Sequence, residues 1–169
     1  MSEFSRLFDP RHLPGTEQAV EADANERAAL AARFGLVRID RLAADIALER
    51  TANGARATGH LSAEWVQSCA VSGEDLPVKG EEPLNLVFVP AQGAGTPAEE
   101  IELEADDLDE IEYEGALFDL GEALAQTLAL MIDPYAVGPN AEKARHKAGL
   151  LDQAASGPFA ALAALKKKG

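Results

Sequence analysis

Cys69 and the three histidines, His12, His60 and His146, are the side chains best suited to nucleophilic or metal chemistry. Their spacing supports neither. No histidine stands at metal-ligand distance in sequence from Cys69 or from another histidine. A single cysteine beside a strand end ordinarily serves as a small hydrophobe, and a catalytic role would need a depressed pKa and a histidine nearby. The acidic run DDLDEIE, residues 106–112, lacks the glycine and ligand spacing of a calcium loop. Gly93 and Gly95 are not followed by Lys-Ser or Lys-Thr, so no phosphate cradle is expected. Paired carboxylates abound, but no patterned pocket assigns them acid and base roles. The expectation is a protein that is not an enzyme and takes no metal or cofactor.

What remains is charge recognition. The chain of 169 residues carries a formal charge of −14. Between Lys79 and Lys143 there is no Lys or Arg, and Gly80–Glu142 hold 16 acids. Ten of these fall between Glu99 and Glu114, among them Glu102, Glu104, Asp106, Asp107 and Asp109. Residues 143–169 reverse the sign, with six basic residues against Asp152. The acidic run reads either as a solvated loop that aids solubility or as a surface for a basic partner, since a one-signed patch speeds encounter with its opposite. A broad grip on nucleic acid is disfavoured, because this region repels phosphates. One cysteine excludes an internal disulfide, no stretch is long enough to span a membrane, and the first ten residues show no secretory pattern. A cytoplasmic protein is expected.

Local patterns position these groups. Asp23 and Glu26 have capping-box spacing and Gly35 suits a helix end, which predicts a helix over 23–34. Ala44, Ile46 and Leu48 alternate with polar neighbours, as do Ala57, Gly59, Leu61, Ala63 and Trp65. With Asn53-Gly54 between them, where both residues tolerate positive φ, they read as a central hairpin over about 41–67. The Ala and Leu content of Arg41–Arg50 would also suit a helix. Residues 68–83 read as turns, and Leu84, Leu86 and Phe88 as a third strand ended by Pro90. Ile101–Leu103, Ile111–Tyr113 and Glu3–Phe8 read as edge strands at best.

The segment FDLGEALAQTLALMIDPY, residues 118–135, carries its own start and stop signals. Asp119 caps, Glu122 completes a capping box, Leu120, Leu124, Leu128 and Met131 share a face, and Pro134 ends the helix at about 120–132. That face reads chiefly as core, while Pro134 and Tyr135 form a rigid turn suited to a partner. In the tail, Ser156 and Pro158 open a helix over 158–168 whose stripe is Phe159, Leu162 and Leu165 and whose closing lysines oppose its dipole. This helix either docks on its own domain or folds onto a partner. The expected fold is therefore α+β: an antiparallel sheet, open or barrel-like, with two packed helices. Residues 1–137 would form one compact domain with an acidic loop at 91–116, and 138–169 a flexible basic tail.

Several segments together resemble the YceD family of large ribosomal RNA subunit accumulation proteins, in its alphaproteobacterial form. They are EFSRLFD at 3–9, ADANERAALAARFGLVRIDRL at 22–42, LSAEWVQSCAVSGEDLPVKGEEPLNLVFVP at 61–90, FDLGEALAQTLALMIDPYAVGPNA at 118–141, and the ending PFAALAALKKK. The resemblance implies a compact α+β domain and a non-enzymatic part in making, processing or accumulating large-subunit ribosomal RNA. Carried over by position, the family's characteristic residues fall on Cys69, on Asp119, Leu120, Gly121 and Glu122, and on Asp133, Pro134 and Tyr135. Many relatives carry C-x-x-C; Ser72 takes the second position here, so no thiol pair is implied. Ala136-Val137 stand where relatives often have Pro-Arg. The partner expected is a basic ribosomal protein or assembly factor, with the basic tail free to touch RNA or a second partner. The competing expectation is an acidic mimic of nucleic acid that fills the basic groove of a nucleic-acid-binding protein.

Overall fold

The computed structural model describes residues 2–91 and 109–149. Their elements are β1 (Leu7–Phe8), β2 (Gln18–Glu21), α1 (Ala24–Phe34), β3 (Arg38–Thr51), β4 (Gly54–Ser68), β5 (Asp75–Pro90), β6 (Asp109–Tyr113), β7 (Phe118–Asp119), α2 (Leu120–Met131) and α3 (Ala141–Lys147). The chain divides into two compact units. The first comprises the residues up to Val66 together with Pro77–Ile132; the second comprises Gln67–Leu76 and the residues from Asp133.

In the first unit α1 forms where its caps say it must. Asp23 Oδ1 accepts from the backbone N–H groups of Asn25 and Glu26, Glu26 returns a bond to Asp23 N, and Gly35 closes the helix at φ 66°. The long hairpin of β3 and β4 follows the alternation. Leu42, Ala44, Ile46 and Leu48 are buried from one strand, and Ala57, Leu61, Ala63 and Trp65 from the other. Ala44 pairs with Leu61 and Ile46 with Gly59, so a one-residue slip would turn this apolar set outward. Arg41–Arg50 are strand rather than helix.

The hairpin turn differs from its expected chemistry. Thr51 pairs with Gly54, which leaves Ala52-Asn53 as the turn, and no described residue other than glycine has positive φ. Gly54 is required for space instead. A side chain there would collide with the backbone carbonyl of Phe88 on β5.

The sheet is open among the described residues, in the order β2-β3-β4-β5-β6, so the barrel-like alternative is not realised there. β3 runs antiparallel to both β2 and β4, and β6 runs parallel to β5. β5 also begins earlier than its sequence suggests and carries Pro77 and Pro83 within it. Its ladder with β6 covers only Leu86–Pro90, so the earlier stretch has an unpaired side where prolines cost no hydrogen bond. The segment at 3–8 contributes only the short β1, which pairs with β7 in a separate two-stranded ladder.

The core is sealed by α2. Leu120, Leu124 and Leu128 are fully buried, and Gly121, Ala123 and Ala125 are buried beside them. Phe118 lies at its centre, its ring 4.3 Å from Phe88 and 5.9 Å from Phe8. Each such side chain removed from water contributes about 1.5–3 kcal/mol before entropy, so this cluster fixes where the N-terminal segment and the start of α2 meet. In the second unit the sequence pattern gives out after Tyr135, yet Ala141–Lys147 form α3. Its signals are weak: Asn140 makes no capping bond, and seven residues give little periodicity.

Candidate functional site

Asp119, Gly121 and Glu122 come together where β1 meets the start of α2. Asp119 Oδ1 accepts from Glu122 N at 3.2 Å and from Arg6 N at 2.8 Å, while Oδ2 accepts from Ser5 Oγ at 2.7 Å. It therefore caps the helix and anchors the N-terminal segment together. Gly121 is buried, and a Cβ there would lie 2.6 Å from the carbonyl oxygen of Phe4 and 2.9 Å from Arg6 N. Only glycine lets the two backbones approach this closely.

Glu122 does not complete the capping box. Its side chain turns to Arg33 in the last turn of α1, accepting from Nη2 at 2.8 Å and Nη1 at 3.0 Å, and from Ser2 Oγ at 2.6 Å. A bidentate guanidinium is a stronger partner than a single backbone N–H. The Arg33 contact first, then those of Ser2 and Gln126, hold the Glu122 carboxyl down at about 2. Arg33 is raised in turn, chiefly by Glu122, and also bonds Glu3 at 3.0 Å. A second fork joins Arg6 to Glu26, at 2.6 and 3.0 Å, and lowers the Glu26 carboxyl. Arg6, Arg33, Ser2 and Phe4, and the Arg6 partner of Glu26, escaped the sequence reading because these contacts cross 20 or more residues.

Asp133, Pro134 and Tyr135 lie in the second unit and are exposed, Tyr135 by 81 %. The turn is internally braced. Asp133 Oδ1 accepts from Tyr135 N at 2.9 Å, and its carbonyl accepts from Gln67 Nε2 at 2.6 Å. Cys69 is buried in the same unit, its Sγ accepting from Ser72 N and Gly138 N, both at 3.3 Å. Ser72 and then Gly138 favour the thiolate and draw the thiol down to about 6. None of the contacts that lower it comes from a histidine, and among the described residues no group of three or more His, Cys, Asp or Glu is arranged to hold a metal ion.

The acidic run enters the described structure at β6. Glu110, Glu112 and Glu114 are exposed, whereas Ile111 and Tyr113 pack against the core. Beside this strand lies a groove of about 290 Å³, lined by Leu7, Ile111, Tyr113, Leu117, Glu114 and Gln126 among others. Leu7 and Leu117 are 59 % and 43 % exposed there. Asp109 opens β6. Glu102, Glu104, Asp106, Asp107 and the tail residues Phe159, Leu162 and Leu165, with the helix expected at 158–168, lie outside the described residues.

No helix among the described residues is long and apolar enough to cross a membrane. Comparison with curated proteins and with solved structures returned no match. A family model described as "Large ribosomal RNA subunit accumulation protein YceD" matches residues 57–166, a span that holds β4 from Ala57 onward, β5, the acidic run and all of α2. With well over half of its length matched, the chain belongs to the YceD family.

Proposed function

We propose that this protein supports the accumulation of large-subunit ribosomal RNA without catalysing a reaction, by binding a basic ribosomal protein or assembly factor through its acidic surface. Family membership supplies the process. The observation that carries the mechanism is the one-signed stretch Gly80–Glu142, with 16 acids and no Lys or Arg. Its described part presents Glu110 and Glu112 to solvent from β6 and Glu114 just beyond it. Ribosomal proteins are generally strongly basic because they neutralise RNA phosphates. A surface of the opposite sign is suited to hold such a protein and would itself repel RNA. The lysines after Glu142 are left for RNA or a second partner, Arg145 being paired with Glu142 at 2.6 Å.

The test is affinity purification of the tagged protein from growing cells in low salt, with and without ribonuclease, beside a variant whose acids from Glu99 to Glu114 are replaced by Gln and Ser. Large-subunit proteins are expected to survive ribonuclease on the wild type and to be lost from the variant. Full retention by the variant at physiological salt would refute the acidic mechanism. Competition by free RNA or DNA for the same partner would favour the nucleic-acid mimic.

A further inference from the structure

We propose that the outer edge of β6 receives an extended basic segment of its protein partner as an added strand, whose apolar side chains lie in the groove beside Leu7 and Leu117. This rests on the acidic-partner reading and names the surface and the form of the ligand.

The backbone sets the geometry. In the parallel ladder Tyr113 lies opposite Pro90, and its carbonyl accepts from Ala91 N at 2.9 Å. Residues of a parallel strand aim both backbone groups to one side and alternate along the strand. Asp109, Ile111 and Tyr113 therefore bond to β5, and Glu110 and Glu112 turn their N–H and C=O groups outward. Among the described residues β6 has no neighbour on that side.

The side chains set the partner's pattern. Neighbours across a strand pair share a face. An added strand would place alternate residues beside Ile111 and Tyr113, over the groove, and the others beside the exposed Glu110 and Glu112. The first set is apolar where it covers Leu7 and Leu117 and the second basic, and Glu112 and Glu114, which also line the groove, add to the preference for a basic segment. Other occupants fit less well. A second copy of β6 would set Glu110 and Glu112 against their own kind. The chain's own lysines at 166–168 are consecutive, and its tail apolar residues have helical spacing. Acids on an edge strand also deter self-association, which is compatible with admitting a basic strand alone.

The experiment uses the full chain and two probes, a synthetic peptide of alternating lysine and valine and the salt-extracted, ribonuclease-treated proteins of the large subunit. The alternating peptide is expected to slow amide exchange of Glu110 and Glu112 by about an order of magnitude, and a peptide of the same composition in blocks to leave it unchanged. Glu112→Pro removes an outward N–H without touching the β5 ladder, and is expected to weaken the alternating peptide about tenfold or more. Equal protection by both peptides, or none, overturns the proposal even if the proline variant fails to fold. So does protection already present in the dilute chain alone, or growing with its concentration, since the edge would then be filled by the chain or by a second copy. If wild type and Glu112→Pro retain the subunit proteins equally while the Gln/Ser variant loses them, the edge proposal fails and the acidic reading stands. If wild type retains none, the acidic reading itself fails and takes the edge proposal with it.

Discussion

At the scale of the residue, the carboxylate of Glu122 accepts from Arg33, Ser2 and Gln126 at once, and these bonds favour its ionised form over the protonated one. Its pKa falls from the ordinary 4.5 to about 2. A depressed carboxyl contributes stability that is complete above the unfolded value and is lost as pH falls through the folded one. The window is therefore pH 4.5 down to 2, and the contribution is on the order of 1–2 kcal/mol after allowance for solvent screening of a partly exposed pair. Urea unfolding across that range should show the loss, and Glu122→Gln should flatten it while costing about 1–3 kcal/mol at neutral pH. An unchanged acid limb in the variant would assign the limb to other depressed carboxyls, such as Glu26 held by Arg6. Gly121 gives the complementary test. Alanine gains about 1 kcal/mol over glycine in a helix interior, yet here its Cβ would press on the Phe4 carbonyl at 2.6 Å, between two rigid backbones. We expect Gly121→Ala to destabilise by about 2 kcal/mol or more, read as a lower melting temperature; a rise would mean that the N-terminal segment yields easily.

Elements whose signals are local were legible, and those decided by a distant partner were not. Asp23, Glu26 and Gly35 act within one helix, so the bounds of α1 follow from the residues alone. The Asp119 cap was legible for the same reason, but Glu122 had a competitor in Arg33, 89 residues away, and local spacing does not reveal it. The hairpin alternation places the right residues in the core, while its turn obeys the close approach of Phe88 rather than the Asn-Gly rule. The prolines of β5 looked like breakers because only the extent of β6 decides which side of β5 is unpaired. The same logic hid the groove, whose lining comes from β1, β5, β6 and the start of α2. Asp23 measures the local contribution directly. Asp23→Ala should cost about 1 kcal/mol through the lost cap, with Glu26 still held by Arg6. A loss several times larger would show that the cap organises the Arg6 contacts as well.

For the whole molecule, two kinds of force are proposed to act on the partner, and salt separates them. The field of the acidic stretch reaches about 10 Å at 0.1 M salt and about 3 Å at 1 M. It therefore governs encounter more than residence. The strand ladder and the apolar contacts at Leu7 and Leu117 act only at contact and are little screened. Raising salt from low to physiological strength should accordingly slow association with the basic partner steeply and change dissociation much less. Neutralising the Glu99–Glu114 acids should flatten the salt dependence of association, and Leu117→Ser should speed dissociation while leaving that dependence as steep as in the wild type. Surface-immobilised chain and stopped-flow mixing measure both rates. If Leu117→Ser changed association alone, the groove would serve only to display charge. If neutralisation left the salt dependence intact, recognition would have to come from residues outside the acidic run, and the basic residues beyond Glu142 would be the next place to mutate.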